Sequence, residues 1–422
     1  MAKRHFPVRP DLDQLKHQAK ELLRGFRRGD EDAVADFSEH HNKAVAPGAA
    51  RLADAQFVLA RSYGLSSWPR LVTACRMTDA IWRGDVEAVR ALVLRDRRLL
   101  QEDARGVEKC NWGPPLSYAA NVGQDAIIEM LRGLGATDLE YAFGRACLQG
   151  HIGTARKLHA IMGRPRPADH LLSWSAYTLN VEGTELLLEL GARVYDDEGK
   201  RLAPIEVVLG TDSRKPSAKH RILELYAERG FRLPDTPAMA LHRGRLDLLE
   251  EHLKRDPELL RRTFTFEEIY PPEFGGPDEV QATHGTPLAG TTLLHMCADY
   301  DEIEIARWLI ERGMDVNQRA RVDADGFGGH TALFGTVVSQ PAFGISHFRR
   351  TPEAPFTRLL LDHGADPNVR VSLRKELHPG YEVPGMYEYR EVTPVSWGER
   401  FHFKKLVNQA AIEMIRDHGG LP

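Results

Sequence analysis

Cysteine is scarce in this sequence: Cys75, Cys110, Cys147 and Cys297 are the only four in 422 residues. No two stand at the short spacings used by structural zinc sites or dithiol redox centres. Four reduced thiols are expected, and no metal. Long apolar runs are missing too. No window offers the roughly 20 apolar residues that span a bilayer, and the opening MAKRHFPVRPDLDQLK has basic residues with no apolar stretch behind them. The expectation is a cytoplasmic protein with no membrane contact. Nor is there an excess of positive charge, since 56 basic residues face 60 acidic ones for a net charge of -4. Without a broad basic field to hold a polyphosphate backbone, nucleic acid is not an expected partner. Familiar catalytic motifs are also absent: no Gly-x-Ser-x-Gly elbow, no His-Glu-x-x-His helix and no dinucleotide fingerprint. The glycines at Gly275-Gly276 and between Gly326 and Gly329 do not lead from a strand into a helix, so they read as turns, and no cofactor is expected.

What is present is an ordinary folded composition, 42% hydrophobic and 27% charged. The length exceeds that of a single compact core and calls for several domains or a repeat array. Asp11 can cap a first helix, with Gln14 at the reciprocal position. Leu12, Leu15, Ala19, Leu22, Leu23 and Phe26 then recur at helical spacing until Gly29-Asp30. A second apolar stretch runs from Leu52 to Tyr63 and stops at Gly64, Ser67-Trp68-Pro69 restarts the chain, and residues 40–50 read as a linker.

From there one plan recurs. Gly113 to Ala120 reads Gly-Pro-Pro-Leu-Ser-Tyr-Ala-Ala, followed by an amphipathic run and Gly135-Ala136. Thr292-Leu-Leu-His-Met-Cys-Ala298 leads into a second helix and Gly313-Met-Asp-Val-Asn317. A later copy ends at His363-Gly-Ala-Asp-Pro-Asn368. These segments resemble the ankyrin repeat, with weaker copies at residues 80–84, 146–150, 186–192, 240–244 and 393–419. The resemblance implies an all-α fold: an ankyrin-repeat solenoid of about nine degenerate helix-turn-helix repeats over residues 76–422. Residues 1–75 would form an N-terminal helical cap, similar to extensions of some bacterial ankyrin-repeat proteins.

Long insertions interrupt the C-terminal half near residues 263–289, 320–329, 339–351 and 371–391. They carry many aromatic and charged side chains, among them His284, His347, Arg350, His378 and Tyr381, so they should fold against something. In this family such insertions leave as finger-like hairpins and could roof the concave surface.

The resemblance also indicates which side chains line the concavity, namely the variable positions of each first helix. Trp82, Tyr118, Arg145, Trp174, Met296, Asp299, Tyr300, Trp397, Arg400 and Phe401 are the expected binding residues, rich in the types that anchor interfaces. A scaffold that binds a protein partner is the leading expectation. The alternative is a small-molecule binder, or an acid-base enzyme of hydrolase or lyase type. It requires His330, Asp299, Glu267 and Asp323 to meet in one enclosed pocket under the insertions. His295 falls at the motif's histidine, where the resemblance implies a hydrogen bond to backbone that ties neighbouring repeats.

Overall fold

The computed structural model describes residues 4–107, 110–211, 213–275, 285–339, 353–376 and 385–422, and the backbone of 342–343 and 348–349. Gly276, His284, His347, Arg350, His378 and Tyr381 lie outside the described residues. Contacts divide the chain into two compact units, Met1–Arg166 and Pro167–Pro422.

In the first unit, helix α1 (Leu12–Arg28) starts where the Asp11 carboxylate accepts the N–H groups of Asp13 and Gln14, and stops at Gly29 with φ 81°. Helix α2 (Glu31–His40), which the sequence pattern did not reveal, and α3 (Leu52–Ser62) pack on α1. Their shared core holds Leu22, Phe26, Phe37, Val58 and Leu59, with the Phe26 and Phe37 rings stacked at 3.7 Å. Ser67 caps α4 (Trp68–Trp82) by accepting the Arg70 N–H, and Pro69 sits in its first turn, where a missing donor costs nothing. Three helix pairs follow: α4 with α5 (Val86–Arg95), α6 (Pro115–Asn121) with α7 (Asp125–Gly133), and α8 (Leu139–Gln149) with α9 (Ile152–Ile161). The first helices α4, α6 and α8 pack side by side. Wholly buried Ala119, Ala120, Ala142 and Ala146 let them approach closely.

The second unit continues in pairs: α10 (Leu171–Tyr177) with α11 (Val181–Glu189), α12 (Ile205–Gly210) with α13 (Pro216–Glu228), and α14 (Pro237–His242) with α15 (Leu246–Arg255). After the one-turn helix α16 (Phe266–Ile269) come α17 (Leu293–Tyr300) with α18 (Ile303–Glu311), α19 (Ala332–Val337) with α20 (Pro355–Asp362), and α21 (Pro394–Arg400) with α22 (Gln409–Asp417). Helices α17, α19 and α21 form one row and α18, α20 and α22 another. Side-chain amides bind successive loops. Asn317 donates to the Gly364 carbonyl at 2.9 Å and accepts the Asp366 N–H at 2.7 Å, while Asn368 donates to the Gly419 carbonyl at 3.1 Å and accepts the Leu421 N–H at 2.8 Å. The Asp-x-Asn endings of the sequence copies are thus the ties between repeats.

Two insertions form hairpins, β1 (Ala342–Phe343) with β2 (Phe348–Arg349) and β3 (Val371–Lys375) with β4 (Tyr387–Val392), both antiparallel. The loop 320–329 joins the second hairpin through the Gly328 N–H, which donates to the Ser372 carbonyl at 2.8 Å. Gly328 has φ 115°, and a Cβ there would strike the Arg321 carbonyl, so only glycine allows this docking. Arg374 then pairs with Asp323 at 2.8 Å and Asp325 at 2.9 Å, and the Phe327 ring lies 4.9 Å from Arg374 and 4.6 Å from Arg390.

Candidate functional site

In the first unit the expected first-helix face exists but is occupied. Tyr118 is fully buried. Its hydroxyl donates to the Val8 carbonyl at 2.6 Å and accepts the Trp82 indole N–H at 2.8 Å. Arg145, also buried, donates from Nε to the Asn121 side-chain oxygen at 2.7 Å, with its guanidinium 5.7 Å from the Trp112 ring. Burial lowers its pKa to about 10. Half-buried Trp82 lies 5.4 Å from the Arg9 guanidinium, and Arg9 pairs with Asp79 at 3.2 Å.

In the second unit Asp299 and Tyr300, expected at the groove surface, are interior because the segment before α13 brings Arg214 against them. Arg214 donates to the Asp299 carboxylate at 3.0 Å and to the Asp299 carbonyl at 2.7 Å, and the two side chains are 3% and 1% exposed. Beside them Lys219 and His220 each reach Glu302 Oε1 at 2.8 Å. The Tyr300 ring receives both cations, Arg214 at 4.9 Å and Lys219 at 4.2 Å. Its hydroxyl meets that of Tyr270, from the first insertion, and donates to the Leu209 carbonyl at 3.2 Å. Burial lowers the Lys219 pKa against the opposite pull of Glu302. For Glu302, burial is outweighed by Lys219 and His220, which hold its carboxyl below the usual value. These charges are matched internally, as buried ions must be. Neither Arg214 nor Lys219 belongs to a motif, so nothing in the sequence singled them out.

Met296, Trp397 and Phe401 are interior as well. The Trp397 ring lies 4.8 Å from both Tyr389 and Phe401, so strand β4 covers the side of α21 that was expected to be open. Arg400 is exposed and donates to the Arg390 carbonyl at 3.1 Å. Trp174 is half-buried beside Tyr177, which is 43% exposed. Of the expected binding residues, Trp82, Trp174 and Arg400 keep accessible surface. The others are covered by parts of the same chain.

A cleft of about 540 Å³ lies elsewhere in the second unit, between α14, α15, the 3-10 turn Pro257–Leu260 and the start of the first insertion. Its apolar lining is Pro234, Pro237, Leu259, Phe264, Pro271 and Pro272. Five carboxylates (Asp235, Asp256, Glu267, Glu268, Glu273) face two guanidiniums (Arg255, Arg262), a net -3 from these groups, and the His252 ring lies 3.0 Å from Asp235. The two arginines are engaged, Arg255 with Asp235 at 3.5 Å and Arg262 with Glu268. Glu267 and Glu273 are exposed at the rim. Among the described residues no group of three or more His, Cys, Asp or Glu is placed to hold a metal, and no helix is long and apolar enough to cross a membrane.

Residues 289–321 match the family model of the ankyrin repeat. The fold is an ankyrin-repeat fold. No curated protein matches the chain significantly. Among solved structures, the ankyrin repeat domain of human ASB11 is similar at 12% identity over 82% of this chain and 98% of that one, with a TM-score of 0.23. That score is too low to compare the arrangement of repeats.

Within the matched ankyrin repeat, His295 accepts from the Thr292 hydroxyl through Nδ1 at 2.8 Å and donates to the His330 carbonyl through Nε2 at 3.0 Å, a tie between repeats. The residues of the acid-base alternative are held by different partners. His330 Nε2 bonds the Pro287 carbonyl at 3.1 Å, Asp299 pairs with Arg214, Asp323 pairs with Arg374, and Glu267 lines the cleft. Burial lowers His295 to about 4, and burial together with His295 lowers His330 to about 3. Unfolded, both titrate near 6.5. As pH falls below about 6.5 the unfolded chain takes up protons that the folded chain excludes, so stability drops toward about pH 4. Chemical denaturation should show a loss of about 2–3 kcal/mol between about pH 7.5 and about pH 5.5. Equal stability at the two pH values would mean these imidazoles are not buried as described.

Proposed function

We propose that the chain is a protein-interaction scaffold whose accessible site is the cleft between α14, α15 and the first insertion, and that it takes a basic segment of a partner protein with aliphatic anchors. Ankyrin repeats generally mediate contacts between proteins. The observation that carries the choice of site is the combination of a proline-rich apolar floor with a rim of net -3. Apolar floors supply contact area, and complementary charge selects and orients the partner. In this reading the array works in the cytoplasm with its four cysteines free, and residues 1–75 cap its end in the manner of bacterial extensions.

A labelled peptide of alternating lysine and leucine, titrated into the full chain by fluorescence anisotropy, should bind in a salt-dependent way, and its glutamate-leucine counterpart should not. Glu267→Lys with Glu273→Lys should weaken binding about tenfold or more. The same reversal at exposed Glu311 and Asp362 should change it little. Equal loss from both pairs would show only a general response to charge and would contradict the assignment.

A further inference from the structure

We propose that the first-helix face of α4 and α6 is itself a recognition slot for a non-helical, proline-restricted peptide, and that residues 4–10 fill it as a displaceable internal ligand. The occupant is the segment Arg-His-Phe-Pro-Val-Arg-Pro, outside any helix or strand, bent at Val8 and Arg9 and restricted in φ at Pro7 and Pro10. The slot holds its main chain through side chains. Arg105 donates to the Phe6 carbonyl at 2.8 Å and Tyr118 to the Val8 carbonyl at 2.6 Å, two positions apart. Because the groups held are main-chain carbonyls, this part of the grip does not depend on the side chains of the segment.

Side chains are read in addition, beginning with Arg4, which pairs with buried Asp36 at 2.5 Å. Phe6 is buried with Leu15, Leu65 and Leu71, its ring 5.4 Å from Tyr63. Arg9, three positions on, lies over Trp82 at 5.4 Å and against Asp79 at 3.2 Å. The slot is a built feature. Arg105 is 5% exposed and Tyr118 wholly buried, and both would need new acceptors if the segment left. At Arg9 the occupant's hold is thin, because the Arg9–Asp79 pair is 51% and 44% exposed at the side chains and such pairs add little. The slot therefore fits a partner segment of the pattern aromatic-x-x-arginine, competing with a tethered copy of the same chemistry. Tethering sets the threshold: an external segment must overcome the local concentration of the internal one.

The test uses the full chain with Phe6→Ser and Arg9→Glu together, and, because Phe6 is a core residue, Arg9→Glu alone as a second variant. The probe is a labelled peptide of residues 4–10, read by anisotropy and by tryptophan fluorescence, with circular dichroism confirming the fold. The loosened variants should bind the peptide about tenfold more tightly than the wild type does. Tyr118→Phe added to either variant should reduce that binding about fivefold, and Glu267→Lys with Glu273→Lys should leave it unchanged. Equal binding to wild type and folded variants, or no binding to the folded variants, would overturn the slot.

Discussion

Trp397→Ala is expected to destabilise the protein by about 3–5 kcal/mol, and any loss of partner binding it causes should follow from unfolding. Trp397 has no exposed surface and packs edge-on against Tyr389 and Phe401, each at 4.8 Å. Truncation would remove the filler between α21 and strand β4, and the hairpin has few ways to collapse into the gap. Among the described residues the indole N–H has no hydrogen-bond partner. Trp397→Phe should therefore cost much less, about 1–2 kcal/mol, because it keeps a ring and removes an unsatisfied donor. Urea denaturation followed by circular dichroism distinguishes the two. A Trp397→Ala protein of wild-type stability with weakened binding would return this residue to the surface role its sequence position implies.

Arg214→Ala is expected to cost a similar amount, about 3–5 kcal/mol, by leaving the Asp299 carboxylate buried without its cation. The Tyr300 ring would also lose one of the two cations on its face. The diagnostic comparison is the double variant Arg214→Met with Asp299→Leu. Removing both charges and keeping volume should recover most of the loss, since a buried pair contributes little net stability over a matched apolar pair. Additive losses in Arg214→Met, Asp299→Leu and the double would mean that the residues act independently. Denaturation midpoints with slopes for all three variants provide the measurement.

Local features were legible because their causes are local. Asp11, Gly29 and Ser67 act as caps or stops where the spacing places them, and His295 makes the tie that the repeat motif implies, whereas the ties made by Asn317 and Asn368 become visible only in the fold. Helix α2 escaped because its buried set is only Ala33, Asp36 and Phe37, too short a pattern among polar residues to register. The first-helix positions were also read correctly as positions. What lies over them was not legible, because the covering groups are far away in sequence: Val8 is 110 residues from Tyr118, and Arg214 is 85 from Asp299. Periodicity tells which side of a helix a residue occupies and nothing about which distant segment returns to cover it. The cleft was missed for the same reason. Its prolines at 234 and 237, at the start of α14, and those at 271 and 272, after α16, come from separate segments and gain meaning only once α16 is in place.

The assignment of the cleft is tested most directly by hydrogen-deuterium exchange on the full chain, with and without the lysine-leucine peptide. The account predicts new protection at residues 234–238 and 259–273, with α6 and α21 unchanged. Protection confined to residues 115–121 and 394–401, the first-helix positions, would contradict it.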